Sequence, residues 1–260
     1  MPLYNVPLGI IELYLLVLLR VGGLLMTMPV FGASEIFRSV KVGLAAVFAL
    51  VLTSTMVHKP LTVPAFGGEF ILAAGGELLL GLMGGYLISW VLEAVLIGGQ
   101  MIGFQMGFAV VNVVDPMTGN TVSIIATLEA QLATVVFLVS GLYRPFLEAI
   151  ATSYDLVPLA QLGWHASQGA AFINVLGQAF KVAVTLAGAP IAALMITNVI
   201  LGIMARTVPQ MNVFMVGFPL TIGVGFLSIA VTLSAFVRVA QHSYADSLRQ
   251  MLMFFKSVGP

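Results

Sequence analysis

Residues 70–111 read FILAAGGELLLGLMGGYLISWVLEAVLIGGQMIGFQMGFAVV, with Glu77 and Glu93 as the charged positions. A membrane-spanning helix needs roughly 20 mostly apolar residues. This run is about twice that length, and as one helix at 1.5 Å per residue it would measure about 60 Å. It reads as one long kinked helix or as two helices. Either way the expected fold class is all-α, a polytopic membrane protein of helical hairpins.

Outward from this run, five further apolar stretches are long enough to be considered. They are Leu8–Phe31, interrupted by Glu12 and Arg20; the short, uncharged Val42–Val57; Val122–Ser140, with Glu129; Val182–Met204, with Pro190; and Phe214–Val237, with Pro219. The less hydrophobic segment Gly141–Gln178 is expected to be amphipathic or interfacial. From Arg238 onward, Leu248, Met251, Leu252 and Phe255 fall at helical spacing, so 238–260 reads as an amphipathic helix at the membrane surface or against a partner. Hydrophobic residues make up 60% of the 260-residue chain and charged residues 8%, against about 25% charged in soluble domains. An ordinary cytosolic enzyme and a disordered chain are both excluded. Lys plus Arg and Asp plus Glu number 10 each, which leaves no basic stripe for nucleic acid. Cys is absent, so disulfides and thiolate chemistry are excluded. No Lys or Arg precedes the first apolar run, so the N-terminus is expected to be retained rather than removed as a signal peptide. The chain reads as a single domain over 1–260.

Glycine is concentrated in the long run. Gly81 and Gly85 form a GxxxG pair, and Gly99, Gly103 and Gly107 repeat the four-residue step. Each series makes a helix face without side chains, along which another helix can approach closely. The approaching helix belongs to this chain or to another subunit. Five charges, Glu12, Arg20, Glu77, Glu93 and Glu129, fall inside apolar runs, where an ionised group costs about 2.5–3.5 kcal/mol on insertion scales. Glu12 and Arg20 are about 12 Å apart along a helix, so their partners are expected elsewhere. One acid per helix and no clustered pair favour salt bridges between helices or subunits over a proton relay.

No catalytic constellation is present. The three histidines are far apart, and HExxH, GxSxG, GxGxxG and GxxxxGK[ST] patterns are absent. The chain is therefore expected to be no enzyme and to carry no metal or cofactor. Residues 105–121, QMGFAVVNVVDPMTGNT, break the apolar pattern with Asp115-Pro116 and a turn-forming Thr-Gly-Asn. This is a surface turn, or else a re-entrant loop or pore plug. Non-helical backbone at membrane depth survives only where protein buries it or where it lines a cavity. Finally, residues 198–219, NVILGIMARTVPQMNVFMVGFP, describe a tight helical hairpin with a polar tip.

That last stretch carries a resemblance. Arg206, Pro209, Gln210 and Asn212, followed by Phe214 and Gly217-Phe-Pro219, resemble the signature of the FliR family (SctT in injectisomes). Arg20 with Pro29-Val30-Phe31, Gly76-Glu77 with Gly81, Gly98-Gly99-Gln100 with Gly103, Gln105, Gly107 and Phe108, Asp115-Pro116, Ala189-Pro190 and Asn198…Gly202 agree with it. Gly141-Leu142-Tyr143 departs from the family, which often has a His near this point, and no role is placed there. The resemblance implies bent, Gly/Pro-broken helices packed with FliP-like and FliQ-like subunits in a helical hetero-oligomeric export gate of the bacterial inner membrane, within the flagellar basal body. FlhB-like and FlhA-like components and unfolded export substrates are the further implied partners, with membrane lipid around the gate. Gly217-Phe-Pro219 looks flagellar rather than injectisome-like; an injectisome subunit and a self-contained secondary transporter are the alternatives. By position, Gln105, Phe108, Val110, Val111, Asn112, Val113, Val114, Asp115, Pro116 and Met117 match the family's channel plug.

Overall fold

The computed structural model describes residues 8–29, 37–57, 64–108, 123–161, 167–208, 210 and 212–259. Among the described residues seven helices follow in chain order: α1 Leu8–Thr27, α2 Arg38–Met56, α3 Gly68–Gln105, α4 Ile124–Val139, α5 Tyr143–Leu156, α6 Ser167–Thr207 and α7 Val213–Val258. The described residues contain no strand, so the all-α expectation holds. Among the described residues, five helices are long and apolar enough to cross a membrane, or six if α4 and α5 together make one span.

Several boundaries differ from the sequence reading. The long run is a single helix that stops at Gln105, short of Val111. The fifth and sixth runs extend well beyond one span, α6 to 41 residues and α7 to 46. The amphipathic tail is not a separate helix but the end of α7. Pro190 and Pro219 were expected to break helices, yet both lie inside helices that continue past them. A proline removes one i→i−4 bond and costs about 3 kcal/mol or more, and the many other bonds of a helix this long carry it through.

The chain forms two compact units. The first comprises Met1–Trp90, Gly141–Val175 and Ala245–Pro260; the second comprises Val91–Ser140 and Leu176–Tyr244. In the first, α1 lies directly against the early part of α3. A Cβ on Gly23 would stand 2.8 Å from the Leu82 backbone nitrogen, and one on Gly81 would meet the Arg20 carbonyl. Gly85 is pressed against Thr27 and the Leu24 carbonyl. The Gly81–Gly85 face thus serves packing within the chain.

α5 buries Phe146, Ala149, Ile150, Ser153 and Tyr154, spaced i, i+3, i+4, i+7 and i+8, so it is the amphipathic part of the 141–178 segment. The end of α7 buries Met251, Phe254, Phe255 and Val258. Phe255 abuts Gly84, and Gly259 abuts the Leu156 carbonyl. The tail's apolar face is therefore covered by the chain's own helices, where a membrane surface or partner was expected.

In the second unit, α4, α6 and α7 pack on the later part of α3. Ile102, Met106, Ile125, Ala187, Leu194 and Ile229 make one core cluster, and Val95, Ala133 and Phe236 a second.

Candidate functional site: the base of the 109–122 segment

α3 ends in a specific cap. Gly107 has φ +93°, a left-handed conformation that glycine adopts without steric cost. Its N–H donates to the Phe104 carbonyl (3.1 Å), and the Phe108 N–H donates to the Gly103 carbonyl (3.1 Å). These are the paired bonds of a Schellman motif. Gly107 was expected on the helix-packing face; it lies just past the helix instead, and a Cβ there would sit 2.7 Å from the Phe218 ring. Helix ends leave orphan carbonyls, and the Met106 carbonyl accepts a hydrogen bond from Thr221 Oγ1 of α7 (3.1 Å). The Met106 side chain is fully buried and fills the space beside Gly225.

Ser123 caps α4: its Oγ accepts from the Ile125 N–H (3.2 Å). Ser123 packs on Gly103, and Ala126 Cα would lie 2.5 Å from a Cβ on Gly99. Gly99 and Gly103 therefore receive α4 of the same chain. Ser123 touches α3 at Gly103, two residues before α3 ends. Phe108 and Ser123, on either side of 109–122, thus both lie at Gly103. Of the plug positions, Gln105 and Phe108 are at this base. Val110, Val111, Asn112, Val113, Val114, Asp115, Pro116 and Met117 lie outside the described residues.

Beside this base is a mainly apolar groove of about 360 Å³, lined by Gln105, Gly107, Asn198, Gly202, Gly217 and Phe218 among others. Asn198 Nδ2 donates to Gln105 Oε1 (3.4 Å) across it. Three sequence motifs far apart in the chain are thereby brought together. Five residues, 208–212, join α6 to α7. Asn212 caps α7, its Oδ1 accepting from the Met215 N–H (3.3 Å). Arg206 lies in the last turn of α6, where a cation complements the helix dipole. Gly217 is buried against Leu201, while Arg206, Gln210 and Pro219 are exposed; Pro209 lies outside the described residues.

The charges resolve differently. Arg20 and Glu77, both fully buried in the first unit, pair with each other. Arg20 Nη1 also donates to the Ser153 (3.1 Å) and Val157 (2.8 Å) carbonyls at the end of α5. Its guanidinium lies 4.4 Å from the Tyr154 ring centre. Glu77 Oε1 accepts from the Ala160 N–H (3.0 Å). Glu12 accepts from the Phe66 N–H (2.8 Å), just ahead of α3. Of the salt bridges expected between helices or subunits, Arg20–Glu77 forms between helices of this chain, while Glu12 takes a backbone donor of the chain instead. Glu129 is buried in the second unit. Glu93, expected among the buried charges, is exposed, because α4 and α6 meet α3 on its glycine face and leave this side bare.

The sequence reading did not single out Thr221, Gly225 or Ser123. Thr221 looks like any β-branched residue in an apolar helix. Only the spacing from Gly217, one turn earlier, hints that it belongs to the same face.

Comparison with known proteins gives a consistent assignment. The sequence profile of "Bacterial export proteins, family 1" matches residues 11–247. The chain is 31% identical to the flagellar biosynthetic protein FliR of Bacillus subtilis (strain 168), over 95% of this chain and 95% of that protein. It is 26% identical to the protein of the same name from Escherichia coli (strain K12), over 91% and 90%. It is also 33% identical to the surface presentation of antigens protein SpaR of Shigella sonnei over 144 residues, 54% of each chain. With a profile spanning most of its length and full-length relatives of one kind, the chain belongs to the FliR family of bacterial export proteins.

Proposed function

We propose that this chain is a subunit of the flagellar type III protein export gate, and that residues 105–117 plug its channel. The observation that carries the reading is the shared base of the 109–122 segment. Its start is held by the Gly107 cap and Thr221, and its end by the Ser123 cap on Gly103. A segment anchored at both ends on packed helices can be displaced and return to the same position. Phe108, Val110, Val111, Val113 and Val114 supply apolar surface to exclude water, and Asp115-Pro116 supplies the turn. The near-complete alignment with FliR proteins, against about half for SpaR, supports the flagellar over the injectisome assignment.

In this reading the whole chain, 1–260, works as one export-gate domain of the bacterial inner membrane, within the flagellar basal body. It is a transport component rather than a catalyst, and uses no cofactor. FliP-like and FliQ-like subunits complete the gate, FlhB-like and FlhA-like components act with it, and unfolded flagellar proteins pass through. The many exposed apolar side chains of α2, α6 and α7, such as Val47, Leu50, Ile196, Val199, Leu227 and Val231, are the surfaces that lipid and those subunits cover. Arg206, Gln210 and Asn212 serve assembly of the hairpin tip with neighbours.

Deleting residues 110–117 tests the plug. Cells carrying the deletion should become permeable to small ions and solutes while the assembled complex is still recovered. Permeability at the wild-type level, with the complex intact, would show that the segment seals nothing.

A further inference from the structure

In the second unit, Gly98, Gly99 and Gly103 of α3 are buried against α6 and α4, with Gly98 facing the Ala183 carbonyl and Gly99 facing Ala126. The opposite face of the same helix is bare. Glu93, Ile97, Gln100 and Phe104 are all exposed, Ile97 at 38% and Phe104 at 72%. Their spacing, i, i+4, i+7 and i+11, is the alternating four-and-three step of a knobs-into-holes seam. The four positions cover about 16 Å of helix, or three turns. Polar and apolar positions alternate along it: a carboxylate, an aliphatic group, a carboxamide and an aromatic ring.

Glu93 makes this seam more than an apolar surface. It stands inside a 38-residue apolar helix, 12 residues before its end, and forms no salt bridge among the described residues. A carboxylate at such a position is costly unless a cation meets it. Arg20, the described cation buried in an apolar run, is committed to Glu77. Among the described residues, no cation is paired with Glu93.

We propose that the Glu93–Phe104 seam is a docking face for one apolar helix of another polypeptide, which brings a lysine or arginine to Glu93 and packs its side chains between Ile97, Gln100 and Phe104. Water alone does not suit Ile97 and Phe104, and lipid alone does not suit Glu93 and Gln100. A helix carrying a single basic residue in an apolar stripe suits all four. The inference rests on the export-gate reading above and names one of its contacts.

The test uses a photo-crosslinking amino acid at Gln100 in the full chain, irradiated in native membranes before purification of the assembly. The expected result is one adduct to a helix of another polypeptide of the assembly. Mass spectrometry should place the attachment within about one turn of a Lys or Arg. In parallel, E93K should lower recovery of that polypeptide with the chain by about tenfold or more, as when one charge of a desolvated pair is reversed, and E93D should retain most of it. Adducts to lipid only, adducts to a helix without a nearby basic residue, or undiminished recovery with E93K would each overturn the proposal. If the chain copurifies with no other export component at all, the export-gate reading itself has failed.

Discussion

Arg20 and Glu77, 57 positions apart in sequence, close a two-pronged ion pair in a site sealed from solvent. Nε donates to Oε2, and Nη2 donates to Oε1 at 3.0 Å. The guanidinium also caps the end of α5 through the Ser153 and Val157 carbonyls. The pair therefore ties α1, α3 and α5 into one cluster. Removing one partner leaves an uncompensated buried charge, which costs about 3–5 kcal/mol. Arg20→Met and Glu77→Leu should each sharply reduce the thermal midpoint or the recovered yield of the solubilised protein. The double variant should lose less than the sum, because neither charge is then stranded. Arg20→Lys should also be damaging, since an ammonium cannot reproduce the fork. Additive single and double effects would show that the two residues act independently.

Two neighbouring glycines in α1 should respond in opposite ways. A Cβ at Gly23 would strike the backbone of Gly81 and Leu82, whereas one at Gly22 meets nothing within 4 Å. Backbone atoms cannot rotate away as a side chain can. Gly23→Ala should therefore cost about 1–3 kcal/mol through overpacking. Gly22→Ala should be neutral or gain up to about 1 kcal/mol of helix propensity. Denaturation midpoints of the two variants in the same detergent decide the matter; equal shifts would contradict the close α1–α3 crossing.

The contrast between those glycines shows what the sequence displays and what it conceals. The apolar runs announce helices, and the glycine steps announce close crossings, because both are properties of single segments. Which helix fills a glycine face is a property of tertiary arrangement. Gly81 and Gly85 receive α1, and Gly99 and Gly103 receive α4, yet the two series look alike in sequence. Helix ends were least legible. Nothing in the apolar pattern between Met101 and Val111 marks Gln105 as the last helical residue, since the stop depends on Gly107 turning left-handed under the Phe218 ring. Charges were misjudged for a related reason. Glu77 and Glu93 sit in equally apolar surroundings in sequence, but only Glu77 faces a helix that carries an arginine. The hairpin motif at 206–219 was the most legible part of the candidate site, because its cap residue and its glycine act locally.

Ala160 offers a test of the strand of chain that follows α5. It adopts φ +60°, a left-handed conformation that costs a residue with a Cβ roughly 1–2 kcal/mol. Its N–H is held by Glu77. Ala160→Gly should relieve part of this cost and raise stability by about 0.5–1 kcal/mol, partly offset by greater unfolded-state entropy. Ala160→Pro should be severely destabilising. It removes the donor to Glu77 and imposes φ near about −65°. Thermal midpoints of the two variants should move in opposite directions; a stabilising proline would contradict the observed backbone.

Thr221 offers a way to test the anchoring of the proposed plug separately from the integrity of the proposed gate. Its hydroxyl donates to the Met106 carbonyl, the last turn before the 109–122 segment departs, and it can also bond the Gly217 and Phe218 carbonyls one turn back in its own helix. Valine matches the shape of threonine but cannot donate, so Thr221→Val leaves the Met106 carbonyl without its partner at a cost of about 1–3 kcal/mol. That loss falls at the base of the segment, while the apolar packing of α7 is retained. The expected result is raised ion leakage at an unchanged amount of assembled complex, with Thr221→Ser close to wild type because it keeps the hydroxyl. Leakage should be smaller than after deletion of 110–117, since the side chains proposed to seal the channel are still present. If Thr221→Val leaks no more than Thr221→Ser while the deletion does leak, the segment is held in place by contacts other than the end of α3.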